Sequence, residues 1–195
     1  FALVANLPTP WYDYREQITS VVVEDGITKV NTGAFEYCSN LKQFTFADSV
    51  AVLGGYVFRE CTALEEIIIP DTVTSIGSGC FERCEMIDEL EIPDGVTSIG
   101  TYAFRYCTGL IHMEIPDGVT SIGVCAFAGC TGLTEITIPD SATSIGERAF
   151  GNCSDLRRAN IGSGIVSISD YAFDQCVSLT DITMSPNVSN IGLAA

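Results

Sequence analysis

Residues 92–104 read IPDGVTSIGTYAF, and residues 115–127 read IPDGVTSIGVCAF. The two stretches begin 23 residues apart, and the same beat runs outward in both directions. Phe35, Phe58, Phe81, Phe104, Phe127, Phe150 and Phe173 keep it. Cys38, Cys61, Cys84, Cys107, Cys130, Cys153 and Cys176 follow each of these rings three residues later. No insertion or deletion interrupts either series. A fixed period of 20–50 residues marks a repeat architecture. The 195 residues are therefore read as one elongated domain, because repeats stack only on their neighbours.

One unit, residues 133–153 (LTEITIPDSATSIGERAFGNC), shows how a coil is built. Ile136 and Ile138 stand two apart, the spacing of a short strand with one buried face. Pro139-Asp140 turns the chain, as do Pro93-Asp94-Gly95 and Pro116-Asp117-Gly118 in sister units. A type I turn with Pro second and Gly fourth is expected; Gly is preferred there but not required, which admits Thr72 and Ser141. In the following Val-Thr-Ser-Ile-Gly unit, Val and Ile point inward and Thr and Ser outward. The Gly recurs at 54, 77, 100, 123, 146 and 192, with Asn31 in the first copy and Ser169 as the exception. Positive φ is expected at this place, since Gly and Asn are the usual occupants of the left-handed region. A short helical turn, x-x-Ala-Phe-x-x-Cys, is expected to follow. Eight positions per unit then face inward, as in Val119, Ile122, Ala126, Phe127, Cys130, Leu133, Ile136 and Ile138. One unit cannot bury these alone, whereas a stack buries all of them, at about 4.8 Å per coil and roughly 1.5–3 kcal/mol for each large side chain.

These residues resemble the leucine-rich repeats of the BspA-like (Treponema pallidum-type) class, whose unit is close to IPxxVTSIGxxAFxxCxxLxxI. The third to sixth units carry the likeness best: IPDTVTSIGSGCF, IPDGVTSIGTYAF, IPDGVTSIGVCAF and IPDSATSIGERAF. It extends from about Ile18 to the end. The lead-in Pro10 to Ile18 (PWYDYREQI) is also similar to segments preceding such repeats in gut-bacterial proteins. The resemblance implies a right-handed superhelical solenoid of α/β type, with a parallel sheet on one face and short helical turns on the other. It implies a secreted or cell-surface protein acting in adhesion or host interaction, with a protein or glycan partner. It supplies no shared set of ligand-binding residues. A right-handed parallel β-helix is the competing fold, but its active sites usually sit on long loops between turns, and no such loops interrupt these coils.

Residues 1–17 form the expected N-terminal cap, with Trp11, Tyr12, Tyr14, Pro8 and Pro10 suited to covering an open end, and the apolar residues 1–7 packing there as well. Residues 18–195 hold seven repeats and a truncated eighth, in which Ile191, Gly192 and Ala195 take the Ile, Gly and Ala places. That pattern suggests a piece of a longer protein. The cysteines are expected to be reduced and buried. Seven share one inward column, Cys80 takes the small-residue place of Ala103 and Ala126, and buried Cys behaves as a small hydrophobe. Cys125, aligned with Tyr102 and Arg148, is the expected exposed thiol and could cross-link two copies.

The charge is −16, with 25 acidic and 9 basic residues. That balance disfavours nucleic acid, whose phosphates attract the opposite sign. No apolar run approaches the ~20 residues that span a bilayer. The strand should expose two columns beside its buried Ile. The first runs Gln43, Glu66, Glu89, His112, Glu135, Arg158, Asp181; the second runs Thr45, Ile68, Glu91, Glu114, Thr137, Asn160, Thr183. Glu66, Glu89, Glu91, Glu114 and Glu135 thus surround His112. Like charges on adjacent strands repel unless solvent, a counter-ion or a partner offsets them. This face is the expected ligand site, for a cationic surface or weakly for Ca²⁺, which prefers carboxylate oxygens. On the opposite edge, Thr-Ser pairs such as Thr97-Ser98 and Thr120-Ser121 form a hydroxyl ladder suited to exposed β positions. There is no CxxC and one His, so no structural metal site or cofactor is expected. No nucleophile elbow, phosphate loop or metalloprotease motif appears, so no enzyme is expected. The reading is an extracellular binding module. The alternative is a passive spacer that displays other domains.

Overall fold

The computed structural model describes residues 9–195. The expected packing of residues 1–7 falls outside that range. The chain winds as a solenoid in which every coil contributes to two strand columns and one arc of turns. The first column comprises Ser20–Val22, Gln43–Thr45, Glu66–Ile67, Glu135–Ile138, Arg158–Ile161 and Asp181–Met184. The second runs through two-residue strands such as Ser75–Ile76, Ser98–Ile99, Ser121–Ile122 and Ser144–Ile145. All pairs are parallel and offset by one repeat: Ser98 faces Ser121, and Ile99 faces Ile122. The strands are short because each contributes one or two inward residues before a turn redirects the chain.

The eight inward positions of residues 119–138 are all buried, none more than 2% exposed. The Phe column is a continuous stack, with ring centroids 5.2–5.4 Å apart from Phe58 to Phe173 and interplanar angles of 17° or less. Trp11 extends it beyond Phe35, at 5.2 Å and 9°, and its Nε1 donates to the Ala34 carbonyl. Cys38, Cys61, Cys84, Cys107, Cys130, Cys153 and Cys176 form a second column, and these and the other two cysteines are free thiols. From Cys61 to Cys176, each thiol of this column donates to the carbonyl of the Phe 26 residues earlier, as in Cys107 to Phe81 and Cys130 to Phe104, both at 3.1 Å. The Cys therefore fills space and also gives a hydrogen bond across the coil boundary.

Three expectations are corrected. The segment x-x-Ala-Phe-x-x-Cys is not helical; Tyr12–Gln17, a single 3₁₀ turn, is the only helix among the described residues. A helix about 10 Å across could not repeat at the ring spacing of this stack. Instead the N–H groups alternate. Cys80, Glu82 and Cys84 donate back to Gly77, Gly79 and Phe81, while Gly79, Phe81 and Arg83 donate forward to Thr101, Ala103 and Arg105 of the next coil, each at 2.8 Å. This alternation places two residues per coil at φ near +60°, for example Tyr102 and Tyr106.

The second correction follows from the first. The recurrent glycines 54, 77, 100, 123, 146 and 192, and Asn31, do not have positive φ. They are small because the coils touch there. A Cβ on Gly77 would lie 2.5 Å from the Gly54 carbonyl carbon, and one on Gly123 would lie 2.6 Å from the Thr101 nitrogen. The exception, Ser169, donates its hydroxyl to the Ile145 carbonyl. Third, the Pro-Asp-Gly turn is displaced by one residue. Val96 donates to the Pro93 carbonyl and Val119 to that of Pro116, so Pro stands first and Gly third. At the Gly place, Thr72 and Ser141 use their hydroxyls on the Val50 and Val119 carbonyls of the preceding coil, at 2.7 Å.

Candidate functional site

The first strand column presents the residues singled out above. Inward residues alternate with outward ones, so Glu135 and Thr137 are exposed on either side of buried Ile136. Glu66, Glu89, Glu91, His112 and Glu114 are exposed on the same face. The column is not uniform. Its sheet is continuous from residue 20 to 67 and again from 135 to 184. Between these, only two isolated bridges remain, Glu89 to His112 and Glu114 to Thr137. The ladder is therefore sparsest where the carboxylates crowd, consistent with the cost of stacking like charges on neighbouring strands.

Two shallow depressions lie over this gap. One, of about 730 Å³, has Leu90 and Ile92 at its floor and Glu66, Glu89 and Glu91 at its rim. The other, of about 510 Å³, brings Glu89, Glu91, His112, Glu114 and Glu135 together. Thus all six predicted residues line one continuous face. Glu135 differs from the others, because Arg158 donates to it at 3.1 Å and to Asp181 at 3.3 Å. Arg158 was visible in the column, and its neutralising role follows from its place between two acids. Among the described residues, Glu66, Glu89, Glu91 and Glu114 have no ion-pair partner. No three His, Cys, Asp or Glu side chains among the described residues gather as a metal cage requires. On the second column, Thr120 and Thr143 use their hydroxyls on the Thr97 and Thr120 carbonyls, which is a structural role.

A second cluster lies on the arc and escaped the sequence reading. One of its columns alternates in charge: Glu36, Arg59, Glu82, Arg105. Arg59 pairs with Glu36 and Arg105 with Glu82. The guanidinium of Arg59 lies over Tyr37 and Tyr56, and that of Arg105 over Tyr102 and Tyr106, at 4.6–5.2 Å from the ring centres. Arg83 pairs with Glu60 and lies over Tyr106. With Arg148, the arc holds four of the 9 basic residues, three of them already paired with acids. On the strand face Arg158 is paired with Glu135 and Asp181, while the acidity of Glu66, Glu89, Glu91 and Glu114 stays uncompensated. Reading each column across units, instead of each unit along its length, would have found this pattern.

The profile of the BspA type leucine rich repeat region matches residues 7–112 and 97–195, in 6 copies. The chain belongs to the BspA-type leucine-rich repeat family. A leucine-rich repeat protein from Bacteroides ovatus has a similar structure, with a TM-score of 0.84 at 28% identity, over 89% of this chain and 47% of that one. A leucine rich cell surface protein from Faecalibacterium prausnitzii aligns with a TM-score of 0.63 at 28% identity, over 85% and 59% of the two chains. The T. pallidum leucine-rich repeat protein, at 24% identity and a TM-score of 0.63 over 90% and 74%, shares the fold. The chain spans 47% and 59% of the first two relatives. No curated protein sequence matches it. BspA-type repeats thus supply a stacked scaffold of the kind that typically binds partners and lacks catalysis. No helix among the described residues is long and apolar enough to cross a membrane.

Proposed function

We propose that this BspA-type module is secreted or displayed at a cell surface and binds a protein or glycan through its strand face. The carrying observation is the set of exposed, ion-pair-free carboxylates Glu66, Glu89, Glu91 and Glu114, aligned around His112 over a gap in the ladder. A ligand with cationic groups would offset the repulsion among them, and its encounter would be steered by the field of the face. The likeness to a cell surface protein of F. prausnitzii supports the location. No nucleophile, base and orienting group converge around His112, so the reading is recognition without catalysis. Calcium is a weak ligand in this reading, because the carboxylates stand in rows instead of enclosing a point.

The test is binding of matrix proteins, mucins and cationic glycans to the wild type and to a variant with Glu66, Glu89, Glu91 and Glu114 all changed to Gln. Binding should fall roughly tenfold or more in the variant, and wild-type binding should weaken as salt rises. Full binding by the variant would remove the strand face as the site. The unbroken regularity of the coils favours a second reading, a spacer that holds other domains at a distance. A spacer would bind none of these ligands at any salt concentration.

A further inference from the structure

The strand face is graded along the stack. Its first coils carry Val22, Thr45 and Ile68 in the second column, and Val22 and Ile68 are 71% and 77% exposed. Phe46 stands where later coils have Ile69, Ile92 and Ile115, and its larger ring is only partly covered. Phe44, Thr45, Phe46, Ile68 and Pro70 line a hollow of about 430 Å³. Ile68 and Glu66 line both this hollow and the larger acidic depression beside it. An apolar seat therefore adjoins a row of carboxylates that have no cation of their own.

We infer that this face takes an extended polypeptide that seats one apolar side chain at Ile68 and aims basic side chains at the carboxylates beyond it. The inference rests on the strand face being the binding surface and names the class of ligand. Coils repeat at about 4.8 Å, while same-side residues of an extended peptide repeat at about 6.7 Å. The hollow lies between the coils of Thr45 and Ile68. From there Glu91 is one and a half coils away, about 7 Å, and Glu114 two and a half coils, about 12 Å. An apolar residue followed by basic residues two and four positions further along matches that spacing. Lys and Arg suit the second part doubly, because their aliphatic stems can lie on Leu90 and Ile92 while the heads reach the rim. A glycan offers the charge but no apolar side chain for the hollow.

The test uses isotope-labelled protein and two peptides, GGLGKGKGG and GGSGKGKGG, titrated to millimolar concentration and followed by NMR shifts. The Leu peptide should bind the wild type about tenfold more tightly than the Ser peptide. That advantage should vanish in Ile68→Ser, whose exposed position leaves folding intact. Both peptides should weaken in Glu91→Gln/Glu114→Gln. Equal binding of the two peptides to the wild type, with both still weakened by the Gln changes, would overturn the inference and leave the acidic-face reading standing. Binding that ignores the Gln changes would overturn both. If neither peptide binds while a chitosan oligosaccharide does, the inference fails in favour of a glycan ligand.

Discussion

Two positions per coil hold φ near +60°, and among those from residue 33 to 194 only Gly33, Gly79 and Gly129 are glycine. The rest include Tyr56, Glu60, Arg83, Tyr102 and Gln175, each in a backbone region that costs an L-residue about 1–2 kcal/mol. The forward hydrogen bonds of the arc offset this cost, since they form only if alternate N–H groups turn toward the next coil. Meanwhile the recurrent glycines sit at ordinary φ and are needed for closeness. Opposite outcomes follow from these two situations. Gln175→Gly should stabilise the protein by about 1 kcal/mol, because it relieves the left-handed residue. Gly100→Ala should destabilise it by about 1–3 kcal/mol, because the new Cβ would lie 2.8 Å from the Gly77 carbonyl carbon and the Ser78 nitrogen. Urea midpoints of the two variants should move in opposite directions. Equal shifts would contradict this division of roles.

At the scale of elements, each column behaves as a stack whose outermost member has one neighbour fewer. Trp11 occupies that place above Phe35, held by ring stacking and by its bond to Ala34. Trp11→Ala should cost roughly 2 kcal/mol and lower hydrogen-exchange protection around Phe35 before it affects Phe127. Uniform loss of protection along the chain would argue that Trp11 does not act locally. Inward positions such as Ile122, Phe127 and Leu133 were legible in the sequence because burial imposes one residue type at one spacing. The strand register was legible for the same reason. What escaped was set by the neighbouring coil. Local propensity suggested a helical arc, but Phe81 and Arg83 donate to residues 22 positions ahead. Likewise, Val-Thr-Ser-Ile-Gly suggested a left-handed Gly, although the demand at Gly77 comes from the backbone of Gly54. The exposed acids around His112 were placed correctly, but the pairing of Glu135 with Arg158 depends on a side chain one coil away.

For the molecule as a whole, the thiol column links stability to pH. Cys176 is lowered by its contact with the Cys153 thiol, whereas burial pushes most of these thiols up from 9.0, to about 11 for Cys38 and about 12 for Cys130, and well up for Cys84 and Cys107. The folded state therefore holds these protons after the unfolded chain has released them. Their contribution is complete below pH 9 and declines as pH rises toward 11 and 12. Each buried thiol removes about 1.4 kcal/mol per pH unit within that window. Urea unfolding between pH 8 and 11 should show stability falling ever more steeply above pH 9, and Cys130→Ala should reduce the slope. A flat profile would mean that the thiols are not buried as described.

The forward direction of the arc's hydrogen bonds also bears on how the protein is made. The N–H groups of Phe58, Phe81 and Phe104 find their acceptors on Cys80, Ala103 and Ala126, which lie further along the chain and so emerge from the ribosome after the donor. Each coil must wait for its successor, a delay of roughly 1–5 s at 5–20 residues per second. During synthesis the solenoid thus lengthens from its N-terminal end, each emerging coil completing the hydrogen bonds of the one before it.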